Sequence, residues 1–473
     1  MSDNSPDIGF DQFSRCLDTE MMRSEFQHQL SVYSQRQLAV TACEILDTRL
    51  KTYLTKASHH KSTLSICYQL DVADPANEIE DEQIVYAKAY LGGRSSAECK
   101  KLDRSHQVPP QFGPALVHLP EFDMVVWGFP NDPALPHLPE LIEPERVTRH
   151  FPYDRLPPGL DSPRDLKGIG VEVVNYRPEC RCTTRYYLLW GAADAPQSLT
   201  LYAKTFSDNA GREISRRTEY LWHATAEDGI SVAQPLGYAG EIKTVWQLGV
   251  PGVPLRRVID NDNCQHYLDA VAQGLATLHR SGLVTPTRIT TDTHLDDLNK
   301  KVAKLSQGFP GLREPFQSLL VQLQTTRATS APERLIHADF HIRQLLEHEG
   351  KVVFFDFDEF ARGDPAQDVA NFIVDLHFHE FDPALVQRMA AILLQSYRQR
   401  VDWPVTDPRI LWHAQVQFVN KAYRFYLQQK PRLAEQLAWI LAQTESFTKW
   451  IQREAALTTT ITEKTLRPGV HLE

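Results

Sequence analysis

The chain has 473 residues, enough for two or three domains, and 42% of them are hydrophobic, enough for a sizeable core. A formal net charge of -10 argues against nucleic acid as a main partner, while permitting a cationic small molecule. No apolar run approaches the length of a membrane span, and the opening MSDNSPDIGFDQF lacks the basic-then-apolar order of a secretory leader.

Residues 1–44 read as a leading helical segment. Residues 45–142 read as a β-rich domain, marked by CYQLDV, QIVYAKAYL and MVVWG. Residues 143–170 belong to a proline-dense stretch: residues 109–163 hold 13 of the 30 prolines, which predicts an extended, stiff connector. Residues 171–255 give VEVVNY, TTRYYLLWG and SLTLYAKTF as strands. A helical GREISRRTEYLWHAT follows, then the short strands VAQPLGY and IKTVWQLGV. Residues 256–455 are mainly helical, beginning with a stripe of Leu268, Val271, Leu275 and Leu278. Residues 456–473 read as a loose tail. The seven cysteines show no C-x-x-C pair, which suggests reduced thiols and a cytoplasmic location.

An internal repeat runs through the two β-rich segments. Tyr68, then Tyr86-Ala87-Lys88, then Trp127 matches Tyr186, then Tyr202-Ala203-Lys204, then Trp246, in one order and at near-equal spacing. Lys88 reads as a relic, held by a local acid or solvated, whose loss costs little.

The most informative stretch is RLIHADFHIRQLLEHEGKVVFFDFDEFARGDPAQDV, from Arg334. One apolar strand delivers His337 and Asp339 into a polar turn. A second, KVVFF, ends on Asp356, and Gln344 lies between. Two strand-end carboxylates with an amide between them suit phosphoryl transfer. One carboxylate can take or orient the proton of an acceptor hydroxyl. The amide oxygen and the other carboxylate can hold the Mg²⁺ that bridges nucleotide phosphates. Asp364 and Asp368 read as structural turn residues. A metal-dependent hydrolase is an alternative reading, with His337, Asp339 and His341 as zinc ligands and His377, His379 and Glu380 in reserve.

HADFHIRQ and FDFDEFARGDPAQDVA resemble the H-G-D-x-H-x-x-N and I-D-F/W…G-D-P-x-x-D-L-A motifs of the aminoglycoside phosphotransferase and choline kinase family of protein-kinase-like small-molecule kinases. Gln344 departs from the usual Asn. The resemblance implies an α+β, bilobal protein-kinase-like fold, with an additional β-rich N-terminal domain resembling a duplicated small lobe. It implies Asp339 and His337 as catalytic residues, and Asp356 and Gln344 as metal ligands. Lys204 would meet the nucleotide phosphates and Glu219 (or Glu213) would hold it. Gln247 and Gly249 would form the adenine hinge. No G-x-G-x-x-G loop is present; the turn RPECRC stands in its place, with Arg177 and Arg181 either as phosphate-facing charges or as solvated turn arginines. The expected function is ATP-dependent phosphorylation of a small-molecule hydroxyl, with ATP and Mg²⁺ as cofactors and no nucleic-acid or membrane partner. The alternative from another class is a nucleotide-binding pseudokinase scaffold.

Overall fold

The structure, a computed structural model, describes residues 10–34, 37–53, 61–76, 78–225, 231–327 and 332–465. Part of the leading segment and residues 466–473 of the expected tail lie outside these. The chain divides into two compact units: Met1–Tyr220 with Ala233–Val250 and Leu427–Gln429, and Leu221–Val232 with Pro251–Tyr426 and Lys430–Glu473.

The first unit opens with helices α1 (Phe10–Leu17) and α2 (Thr19–Tyr33). Asp18 caps α2 by accepting the Met21 N–H, and Met22, Phe26 and Leu30 form its buried stripe. Strand β1 (Ala39–Lys51) begins inside the segment expected to be helical. Its β-branched content and long register with the next strand outweigh the helical reading. β2 (Thr63–Asp74), β3 (Ile79–Ala89), the short helix α3 (Ser95–Cys99), β4 (Leu116–Leu119) and β5 (Met124–Gly128) complete a sheet ordered β1-β2-β3-β5-β4.

Past β4 and β5, the proline-dense stretch is not extended. It folds into α4 (Leu138–Ile142), α5 (Pro144–Val147) and single 3-10 turns. Proline at a first helical position loses no hydrogen bond, so a proline series can start turns instead of stiffening a strand. Leu138, Leu141, Val147, Phe151 and Leu160 bury their side chains in cores shared with the sheets.

The second sheet follows, from β6 (Leu166–Arg177), β7 (Arg181–Ala192) and β8 (Ala195–Phe206) through helix α6 (Ala210–Thr225) and the short β9 (Ser231–Val232) to β10 (Pro235–Ala239) and β11 (Thr244–Leu248). β6 starts at Leu166, inside the expected connector. The sheet order is β6-β7-β8-β11-β10, all antiparallel. Both sheets therefore share one order: first, second, third, fifth, fourth. Registers match as well. Lys88 lies opposite Ser65 and Val125, and Lys204 lies opposite Thr183 and Val245. Tyr68 and Tyr186 each pair three residues before their lysine, at Val85 and Leu201. The tryptophans are offset by one position. Trp127 faces Tyr86, whereas Trp246 faces Ala203.

The second unit holds β12 (Val253–Pro254), α7 (Cys264–Arg280), α8 (Thr291–Gly308), α9 (Arg313–Thr325), β13 (Arg334–Ile336), β14 (Leu345–His348), β15 (Lys351–Phe354) and β16 (Ala361–Gly363). α10 (Ala366–Leu376), α11 (Pro383–Arg398), α12 (Asp407–Leu427) and α13 (Leu433–Thr465) follow, so helix continues through much of the expected tail. β13 pairs with β16, and a separate sheet runs β12-β14-β15-β9. α7 comes so close to β15 that a Cβ on Gly274 would meet the Phe354 ring at 2.5 Å. Every residue of α10 is buried. Polar residues within it must then be bonded, and their partners define the site.

Candidate active site

β13 ends at Ile336, and the chain turns through His337-Ala338-Asp339. Ala338 has φ +70, in the left-handed region where glycine is at ease and alanine is strained. The turn is held from below by α10. Asp368 accepts the His337 N–H at 2.6 Å and the Ala338 N–H at 2.9 Å. Gln367 and Asn371 donate to the Ala338 carbonyl at 3.2 and 3.0 Å. Asp368 is fully buried and bonds the His279 Nε2 at 3.1 Å; His279 Nδ1 bonds the Tyr397 hydroxyl at 2.6 Å. Asp368 is thus the clamp of the loop, and His279, which reads in the sequence as a plain helix-end residue, orients the clamp.

Asp339 emerges from this anchored turn with its side chain 48% exposed, 3.7 Å from the His341 Nε2. Burial pushes His341 well below the usual histidine value, working against the nearby Asp339 charge, so the ring is neutral beside the carboxylate. Behind it, Asp375 bonds Lys421 at 2.6 Å and His379 at 2.9 Å. Burial works against the Asp375 carboxylate, yet the His379 hydrogen bond and the Lys421 charge hold it well below its ordinary range.

His337 was expected as a catalytic group. Its side chain is buried, bonds the Phe355 carbonyl at 3.3 Å and sits 5.0 Å from the Phe357 ring. So enclosed, it ties the loop to the end of β15 instead of reaching a substrate. Asp356 follows directly, at φ +63, a conformation aspartate tolerates better than most residues. Gln344 is buried, and its Oε1 accepts the His341 N–H at 3.2 Å. An amide oxygen has a second lone pair, so one ligand position survives. Asp356 and Gln344 are hard oxygen donors of the kind Mg²⁺ prefers. Among the described residues, no group of three or more His, Cys, Asp or Glu could hold a metal ion. The zinc set of His337, Asp339 and His341 therefore does not assemble, and His379 is bonded to Asp375. A magnesium ion, by contrast, normally takes most of its ligands from phosphate and water.

The residues expected to meet a nucleotide lie in the first unit. Lys204 is in the middle of its sheet, between β7 and β11. Glu219 bonds Arg155 at 2.8 Å, and Glu213 bonds Arg216 and Arg217 at 2.8 Å. Both candidate acids thus carry arginine partners: those of Glu213 follow from helical spacing, three and four residues on, whereas nothing in the sequence announces Arg155 beside Glu219. Gln247 lies on β11 opposite Tyr202. Gly249 donates its N–H to the Thr200 carbonyl at 2.7 Å, and a Cβ there would meet Thr200 at 2.8 Å. The Leu248 N–H is likewise spent on Gln234. A hinge here offers carbonyls more readily than N–H groups. Arg181 closes the β6–β7 ladder opposite Arg177.

The signal that would have found the missed residues is the stripe Asp368, Asn371, Asp375 on α10. These three polar residues stand at helical spacing and face one way, in a helix whose other residues, Gln367 apart, are apolar. A second, partly buried histidine belongs to the same support. His294 bonds the Gln367 Oε1 at 3.0 Å, and burial lowers its pKa to about 4. A histidine depressed when folded resists the proton that the unfolded chain accepts near pH 6.5, so stability falls as pH drops from about 6.5 toward 4. His341 acts in the same direction. Between pH 7.5 and 5, His294 alone should cost roughly 2 kcal/mol, and thermal melts should show it. A melting temperature flat across that range, or unchanged in its pH dependence by His294→Asn, would contradict the assignment.

The profile of the phosphotransferase enzyme family matches residues 185–408. No curated protein matches the chain. Among solved structures, an aminoglycoside-3'-phosphotransferase of type VIII is 22% identical, covering 53% of this chain and 93% of its own, with a TM-score of 0.39. Choline kinase LicA from Streptococcus pneumoniae is 13% identical, covering 58% and 93%, with a TM-score of 0.40. An amicoumacin kinase solved with AMP-PNP and Ca²⁺ is 13% identical, covering 61% and 90%, also with a TM-score of 0.40. No helix among the described residues is long and apolar enough to cross a membrane. The residues that match the phosphotransferase enzyme family, 185–408, contain both the clamped Asp339 turn and Asp356.

Proposed function

We propose that the protein is an ATP-dependent kinase that phosphorylates a hydroxyl of a small molecule such as a sugar, an aminoglycoside or an amino alcohol. The observation that carries the reading is the turn bearing Asp339. Its backbone is fixed by four hydrogen bonds from α10, while its carboxylate stays open. That is the demand on a group that must orient an acceptor hydroxyl and take its proton. In this reading His337 and Asp368 position the turn. Lys204 places positive charge on the phosphates, with Glu219 orienting it, and Arg181 adds charge from the β6–β7 turn. The carbonyls near Gln247 and Gly249 meet the base. Asp356 would hold Mg²⁺, with Gln344 as its second protein ligand, and the ion would neutralise phosphate charge. A loose phosphoryl transition state needs little covalent help, so positioning and charge carry the catalysis.

The test is ADP release from MgATP by the full-length protein against a panel of sugars, aminoglycosides and amino alcohols, with calorimetry of MgATP alongside. Release stimulated by one acceptor class is the expected result. Tight MgATP binding without release for any acceptor would favour the scaffold reading, in which Gln344, tied to the His341 N–H, marks lost metal chemistry. Neither binding nor release would end both readings.

A further inference from the structure

The β6–β7 turn is gripped by the front copy of the sheet. Lys88 Nζ lies 2.8 Å from both carboxylate oxygens of Glu179, at the tip of that turn. Both side chains are largely covered, at 22% and 32% exposure. The Glu179 N–H donates to Asp132 at 2.8 Å, and the Tyr176 hydroxyl donates to the same oxygen at 2.7 Å. The Phe129 and Tyr176 rings meet edge to face at 5.1 Å. Within its own sheet, the turn closes through Cys180 N–H to the Arg177 carbonyl at 3.1 Å. The Ser207 N–H donates to the Cys180 carbonyl at 3.0 Å. Lys88 and Asp132 come from the front copy; Tyr176 and Glu179 come from the second. Lys88 is therefore not a solvated relic. It occupies the register position of Lys204, and its charge serves the other sheet.

Two features make this more than a brace. Glu179 has φ +58, a strained conformation for a residue with a side chain, so something must hold it there. The turn also stands where a glycine-rich loop would cover phosphates, yet its tip carries a carboxylate. An uncompensated carboxylate there would repel a polyphosphate; one paired with an ammonium would not. From this geometry we infer that Lys88 is a positioning residue for nucleotide binding, which fixes and neutralises the Glu179 turn so that the front copy replaces the missing glycine-rich loop. The inference rests on the kinase reading above.

The experiment uses the full chain and four variants: Lys88→Met, Lys88→Arg, Glu179→Gln and the Lys88→Met/Glu179→Gln pair. Hydrogen exchange of the amides at 177–181 and the KM and kcat for MgATP are the readouts. Lys88→Met should speed exchange in the turn and raise KM roughly tenfold, with kcat changed less than about twofold. Lys88→Arg should behave as wild type. The pair should recover part of the lost affinity, because removing the carboxylate removes the repulsion. Unchanged exchange in Lys88→Met, or faster exchange with unchanged KM, would overturn the inference. So would a pair no better than Lys88→Met, which would reduce the contact to a structural brace. A wild-type protein that binds no MgATP would fail the kinase reading itself, and with it this inference, before any variant is compared.

Discussion

Asp339→Asn should lower turnover by roughly 10²–10⁴-fold while leaving MgATP affinity near that of the wild type. Asparagine keeps the shape of the side chain and the anchored turn, because the turn is held through the backbones of His337 and Ala338. What it removes is the proton acceptor. Steady-state rates and nucleotide calorimetry on one preparation separate these effects. Near wild-type turnover would take Asp339 out of the mechanism. A parallel collapse in melting temperature would mean that the residue serves the fold instead.

Asp368→Ala should be the most damaging single change to stability. It strips the acceptor from two buried backbone N–H groups and from His279 at once. At about 1–3 kcal/mol for each buried group left unsatisfied, the loss is roughly 3–9 kcal/mol. That is a large part of the 5–15 kcal/mol typical of a folded domain. Urea unfolding measures it, and Asp368→Asn, which keeps one acceptor oxygen, should fall between the two. A loss of about 0.5 kcal/mol or less would place Asp368 among ordinary surface residues and dissolve the clamp.

The polar turns that hold Asp339 and Asp356 were easier to read than their supports. Each follows an apolar strand by two or three residues, and such a strand end is marked by a change from apolar to polar residues. The duplicated sheet was legible because Tyr68, Lys88, Tyr186 and Lys204 keep one register, which follows from period-two strand geometry. The tryptophan match was only approximate, since Trp127 and Trp246 differ by one residue in register. Supports were harder to read because they are made by distant residues. Nothing local to Lys88 announces Glu179, and nothing local to Glu219 announces Arg155. His337 follows the motif yet faces inward, and motif membership does not say which way a ring points. The proline-dense stretch misled because proline suits both an extended chain and the first residue of a helical turn.

The family resemblance begins at Arg185, part-way along β7, but the protein's interior does not respect that border. One apolar cluster lies wholly ahead of the border, but it seats Cys182 of β7, the strand that the border cuts, among Tyr86, Trp127, Phe129 and Leu138. It also reaches Tyr176 on the strand that precedes β7. A second cluster joins Leu141, Phe151 and Leu160 to Tyr186, Leu201 and Trp246. Inheritance and autonomy therefore part company. The small sheet of the matched stretch takes part of its core from the turns that precede β6, where Phe151 meets Tyr186 and Trp246 edge to face. Cutting the chain at Arg185 would strip away those turns and bare aromatic surface that the intact chain keeps buried.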